Sequence, residues 1–184
     1  KTEETQGTGA FDVGIVFVLD TTQSMETYIA RTQKVLQSTV QRIAGTEIGK
    51  LVHFGAVGFR DNVDAVPGLK YRTKVLADIK RREDQSEVIS AIGNTRVAEV
   101  NSPGFNEDSL AGVEDAIEKI DWQQVGANDP IDARYVILVT DAGPKDPRDP
   151  NARSEIGVEE VQVDAEGKNI VVMTLHLKTP TGGE

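Results

Sequence analysis

The segment VGIVFVLD, residues 13–20, is a seven-residue apolar run that stops at an aspartate, and ARYVILVTD, residues 133–141, ends the same way. Short runs rich in Val, Ile and Leu suit strands buried on both faces, as in a parallel sheet covered by helices on either side. Between the runs the apolar period changes. Over 24–44 it falls at Met25, Tyr28, Ile29, Val35, Leu36, Val40 and Ile43, one face of a helix closed by Gly45. Over 109–120, Leu110, Val113, Ile117 and Ile120 keep three-to-four spacing and predict a second helix. A short helix is expected over 86–94 and an acidic one near 154–166. The remaining strands are expected at 51–59 and 170–177, with the first beginning at 11. Residues 69–78 carry enough charge to make an edge strand.

Strands alternating with helices over 184 residues predict one doubly wound α/β domain spanning 11–178, after a flexible lead-in at 1–10 and before a flexible tail at 179–184. Composition narrows the function. Thirty acidic against 20 basic residues leave a formal charge of −10, which opposes a nucleic-acid partner and suits a protein that holds cations. No apolar run approaches the roughly 20 residues of a membrane helix. The absence of cysteine excludes disulfides and thiolate zinc sites.

In a doubly wound sheet, ligands gather at the carboxyl ends of the strands. Asp20 stands at one such end, and Thr22 and Ser24 follow at alternating positions. Asp141 ends another buried strand on the same face. One carboxylate, two hydroxyls and a second carboxylate are hard oxygen donors, the set that Mg²⁺ prefers. Ser24 taken alone also reads as a helix N-cap, and Glu107 and Asp108 as acidic residues at the start of the helix beginning at 109.

DTTQS at 20–24 resembles the Asp-x-Ser/Thr-x-Ser motif of von Willebrand factor type A domains, and VTDAGP at 139–144 resembles that family's fourth-strand aspartate. The resemblance covers residues 11–178 in the family's element order. It implies a Rossmann-like, mostly parallel sheet with one antiparallel edge strand at 69–78. It also implies a metal-ion-dependent adhesion site holding Mg²⁺, Mn²⁺ or Ca²⁺ through Asp20, Thr22, Ser24 and Asp141. The implied function is a binding module that recruits a protein partner through an acidic side chain. The second loop departs from the family, since no threonine lies between Thr95 and Thr140. NEDSLAG at 106–112 resembles the acidic second loop of some bacterial members, which makes Glu107 and Asp108 the metal candidates there. The DTTQSM variant is similar to bacterial forms, including A domains attached to type VI secretion serine/threonine kinases. That setting implies a periplasmic or cytoplasmic protein. Members of the family usually carry one more strand and a closing helix, so 170–177 is expected to form an open apolar edge in a chain that continues further.

Other strand-end chemistries compete. A haloacid-dehalogenase-type phosphatase also begins with an apolar strand ending in Asp, but it needs a second Asp where Thr22 stands. A two-metal nuclease of RNase H type has antiparallel early strands, which the long helix after Asp20 disfavours. No general base, Ser-His-Asp set or G-x-S-x-G turn is evident. The remaining features read as structural. GTEIGK at 45–50 is a helix stop, not a phosphate loop. Asp61 and Asp64 read as a solvated turn, KRRED at 80–84 as a solvated linker, and Lys145 and Arg148 as solvated loop residues. His53 and His176 read as packed or edge histidines, and Trp122 as packing over a helix end.

Overall fold

The computed structural model describes residues 11–79, 85–123, 131–152 and 156–178. The lead-in at 1–10, the tail at 179–184 and the KRRED segment lie outside these residues. Five strands form one sheet: β1 (Val13–Asp20), β2 (Val52–Phe59), β3 (Thr73–Ala77), β4 (Ala133–Thr140) and β5 (Ile170–His176), in the order β3-β2-β1-β4-β5. β1 runs parallel to β2 and β4, and β4 parallel to β5. β3 is antiparallel to β2 at the edge, where its charged sequence placed it.

Alternation along β1 divides the core. Val16 and Val18 point to one face with Val57, Phe59 and Leu138. There α3 (Ser109–Glu118) and α4 (Val158–Gly167) cover them through Val113, Ala116, Ile117, Val161 and Ala165. Phe17 and Leu19 point the other way, with Phe54 and Ala56, beneath α1 (Ile29–Ala44) and α2 (Ser86–Asn94). The Phe17 and Phe54 rings stack with centroids 6.0 Å apart. α3 lies so close to the sheet that a Cβ on its Gly112 would come 2.9 Å from Phe59 Cβ and 3.0 Å from Val18 Cγ1. Gly112→Val is therefore expected to destabilise by about 2 kcal/mol, within the usual overpacking range. An unchanged urea midpoint would contradict this close packing.

The sheet reverses its winding between β1 and β4. β1 connects through α1 to β2 on one side, and β4 connects through α4 to β5 on the other. The crevice at such a switch point is where ligands bind in this class of fold. Asp20 is the last residue of β1, and Asp141 follows the last residue of β4.

Two sequence expectations change. The helix expected from Ser24 starts instead as a 3-10 turn over Gln23–Thr27, and α1 begins at Ile29. Met25 is fully buried in that turn, which pins the loop against the core. The acidic helix near 154–166 begins at Val158, with Glu160 accepting from the Gly157 N–H at 2.9 Å. Among the described residues no strand pairs with the outer edge of β5, and Val171, Met173 and Leu175 are about half exposed there. No described helix is long and apolar enough to cross a membrane.

Candidate metal centre

The loop after β1 is closed by its own hydroxyls. Asp20 Oδ1 accepts from the Thr22 N–H at 2.9 Å and from Thr22 Oγ1 at 2.6 Å. Thr22 Oγ1 and Ser24 Oγ lie 3.0 Å apart, and Ser24 Oγ donates to Asp141 Oδ1 at 2.9 Å. The alternate spacing of 20, 22 and 24 thus yields a continuous chain of oxygens from one strand end to the other. Ser24 makes no capping bond, so its hydroxyl belongs to this chain and not to a helix terminus.

Glu107 completes the cluster from the loop before α3. Carboxylate oxygens of Asp20, Glu107 and Asp141 all lie within 4.8 Å of one another, and all three residues are buried. The backbone fixes Glu107 there. Its N–H donates to Gly143 O and its carbonyl accepts from the Lys145 N–H, both at 3.0 Å, forming a parallel bridge with Pro144. Asp108, which the sequence set beside Glu107 as a ligand, turns elsewhere. Its Oδ2 accepts from Arg72 Nη1 at 2.7 Å. Asp108 stands at the N-cap position of α3 but makes no side-chain capping bond there.

Three buried carboxylates in contact cannot all ionise in low dielectric surroundings. The Glu107 carboxyl is pushed up to about 10, first by burial and then by the negative charge of Asp20, with Asp141 adding to it. Burial also raises Asp20, against hydrogen bonds from Thr22 and Thr140 that favour its charged form. Glu107 Oε2 is buried and receives no hydrogen bond. A divalent cation held here would answer these features, since it would offset the charge of the cluster and compete with its proton. The donors are all oxygen, which fits Mg²⁺, Mn²⁺ or Ca²⁺. A cleft of about 620 Å³, lined in part by Ser24, Tyr28, Phe105, Glu107 and Asp141, opens the cluster to solvent.

Sequence reasoning missed three residues around this cluster. Thr140 Oγ1 donates to Asp20 Oδ2 at 2.7 Å. Asp61 and Lys145, both read as solvated, are buried and paired to each other. Asp61 carried a signal, since it follows the apolar β2 much as Asp20 and Asp141 end their strands. His53 is packed, as expected, against Asp12 at 2.6 Å at the far end of the sheet, and Trp122 Nε1 donates to Ala116 O at the end of α3.

The family model for the von Willebrand factor type A domain matches residues 14–180. The chain belongs to this family. Among solved structures, proximal thread matrix protein 1 from the mussel byssus, with a zinc-occupied MIDAS motif, superposes with a TM-score of 0.62 at 16% identity. The match covers 92% of this chain and 37% of that one. The pilus adhesin SpaC from Lactobacillus rhamnosus GG, in its open conformation, gives 0.55 at 18% identity, covering 73% of this chain and 15% of that one. No curated protein sequence matches the chain. The A domain thus spans well under half of these two proteins, and at such identity the likeness concerns the fold.

Proposed function

We propose that this A domain is a metal-ion-dependent protein-binding module. Asp20, Glu107 and Asp141, with the hydroxyls of Thr22 and Ser24, hold a divalent cation, Mg²⁺ in the first instance. The cation leaves a position toward the cleft for an acidic side chain of a protein partner. The observation that carries the reading is the convergence of three buried carboxylates at the switch point, one of them with an oxygen that receives no hydrogen bond. The family membership and the pilus adhesin among the structural relatives support a binding role over turnover. The DTTQSM form of the first loop supports placing the domain in a larger bacterial signalling or secretion protein. A third carboxylate leaves the occupied site with one net negative charge when all three ionise. It should therefore hold its cation more tightly, and an acidic ligand less tightly, than a site with two carboxylates.

Cation binding to the folded state stabilises by mass action, about 2.7 kcal/mol at 100 times Kd. For a domain of this size that raises the melting temperature by roughly 5–10 °C. Asp20→Asn should remove the rise. Ligand entry is read separately: Mn²⁺ bound to the wild type should speed relaxation of the acetate methyl protons beyond the effect of the same free Mn²⁺, and Asp20→Asn should show only the free-ion effect. No melting shift in millimolar Mg²⁺ or Mn²⁺ would refute the metal site. A shift without that added acetate relaxation would refute the acidic-ligand role alone.

A further inference from the structure

We propose that Lys145 is a positioning residue, which, paired with Asp61, holds Glu107 against Asp20 and Asp141 in the geometry a cation requires. Four loops meet at this end of the sheet, and the Lys145 side chain joins two of them to its own. Its ammonium donates to Asp61 Oδ2 at 2.5 Å, just beyond β2, and to Asn106 O at 2.6 Å, one residue before Glu107. Its own N–H holds the carbonyl of Glu107 at 3.0 Å. Residue 107 is thus gripped from both sides by one residue of the loop after β4, with the Gly143 carbonyl closing the bridge.

The burial of this contact is what makes it informative. The Lys145 and Asp61 side chains are 1% and 0% exposed. A buried ion pair is a poor source of net stability, because desolvation offsets much of the attraction. In some proteins such a pair serves instead to fix one arrangement among alternatives. Here the arrangement fixed is the loop that carries Glu107, the carboxyl that this loop must hold against Asp20 and Asp141. The pair is neutral as a unit, so its effect on the cation comes from position and not from added charge. Asp61 in turn is oriented by the Asn62 N–H, which donates to Oδ1 at 2.6 Å.

This inference rests on the proposed metal site for its role, but its test includes a readout without metal. Lys145→Met keeps the aliphatic stem and removes both tethers. It leaves Asp61 buried without its counter-charge, so it alone could act by destabilising the fold. The double substitution Lys145→Met/Asp61→Leu removes both charges together and is expected to recover a wild-type melting temperature without cations. Amide hydrogen exchange in cation-free buffer should then show Glu107 exchanging about tenfold faster in the double variant. Exchange in β1 and β4 should stay unchanged. Titration with Mn²⁺ should show affinity reduced at least about tenfold in the same variant, despite its restored stability. Wild-type exchange at Glu107 in the folded double variant would overturn the proposal, as would wild-type Mn²⁺ affinity there. If the wild type itself binds no Mn²⁺, the metal reading fails, and unchanged or faster Glu107 exchange still decides whether Lys145 positions that loop.

Discussion

Glu107→Gln should make the cation-free protein more stable than the wild type at pH 7, the two matching only at about pH 4.5 and below, while cutting divalent-cation affinity by at least about tenfold. The reason lies in the protonation of the cluster. With its carboxyl pushed up to about 10 by burial and by Asp20, Glu107 carries its proton at neutral pH when no cation is bound. Glutamine is close to that protonated acid in shape and charge, so the folded protein loses little, while the unfolded variant forgoes the ionisation that stabilises the unfolded wild type at pH 7. The cation, however, meets an amide oxygen where it would otherwise meet a full negative charge, and at an effective dielectric near 20 a contact charge is worth several kcal/mol. Part of that gain goes to expelling the proton, so the ratio of wild-type to variant affinity should climb from pH 6 to pH 8. Titration of both proteins with Mn²⁺ at the two pH values checks this. Equal affinities at pH 8 would remove Glu107 from the site.

The same protonation makes the stability of the cation-free domain fall as pH rises. Between about 4.5, the ordinary value for a glutamate, and about 10, the folded state keeps the Glu107 proton and the unfolded chain releases it. The folded state then binds more protons, so the slope of unfolding free energy with pH is negative. The contribution is fully present below about pH 4.5 and is lost as pH climbs toward 10. Melting temperatures without cations should therefore decline from pH 5.5 to pH 9. Mg²⁺ should stabilise more at the alkaline end, because there the proton it must displace costs less to remove. Glu107→Gln isolates the effect from general repulsion in a chain of net charge −10, since the variant should lose this part of the slope. Parallel slopes for the two proteins would contradict a Glu107 carboxyl that stays protonated in the folded domain.

Strand ends were the legible part of this molecule. Apolar runs terminated by Asp20 and Asp141 could hardly lie elsewhere than at the carboxyl edge of a parallel sheet. The alternate spacing of Thr22 and Ser24 then made their hydroxyls converge. The bounds of α2 and β4 also follow directly from apolar period. Glu107 and Asp108 could not be separated, because neighbouring residues differ only in which way the backbone turns them. The bridge to Pro144, formed with a loop far along the chain, settles that direction in the structure. Thr140 was overlooked because a hydroxyl at the end of an apolar strand gives no pattern of its own. Lys145 lies in a loop with three prolines, where a charged residue is ordinarily solvated. Only the approach of Asp61 and Asn106 makes its burial tolerable. The 3-10 turn ahead of α1 was hidden because Met25 and Tyr28 continue the helical period through a segment that tertiary packing winds more tightly.

Calorimetric titration of the wild-type domain with MnCl₂ at pH 7.5, repeated in two buffers of different ionisation heat, tests the central claim most directly. The cluster is expected to bind one ion per chain, and the difference between the buffers to report about one proton released for each ion bound. Absence of binding heat in millimolar Mn²⁺ in both buffers, with no accompanying change in melting temperature, would contradict it.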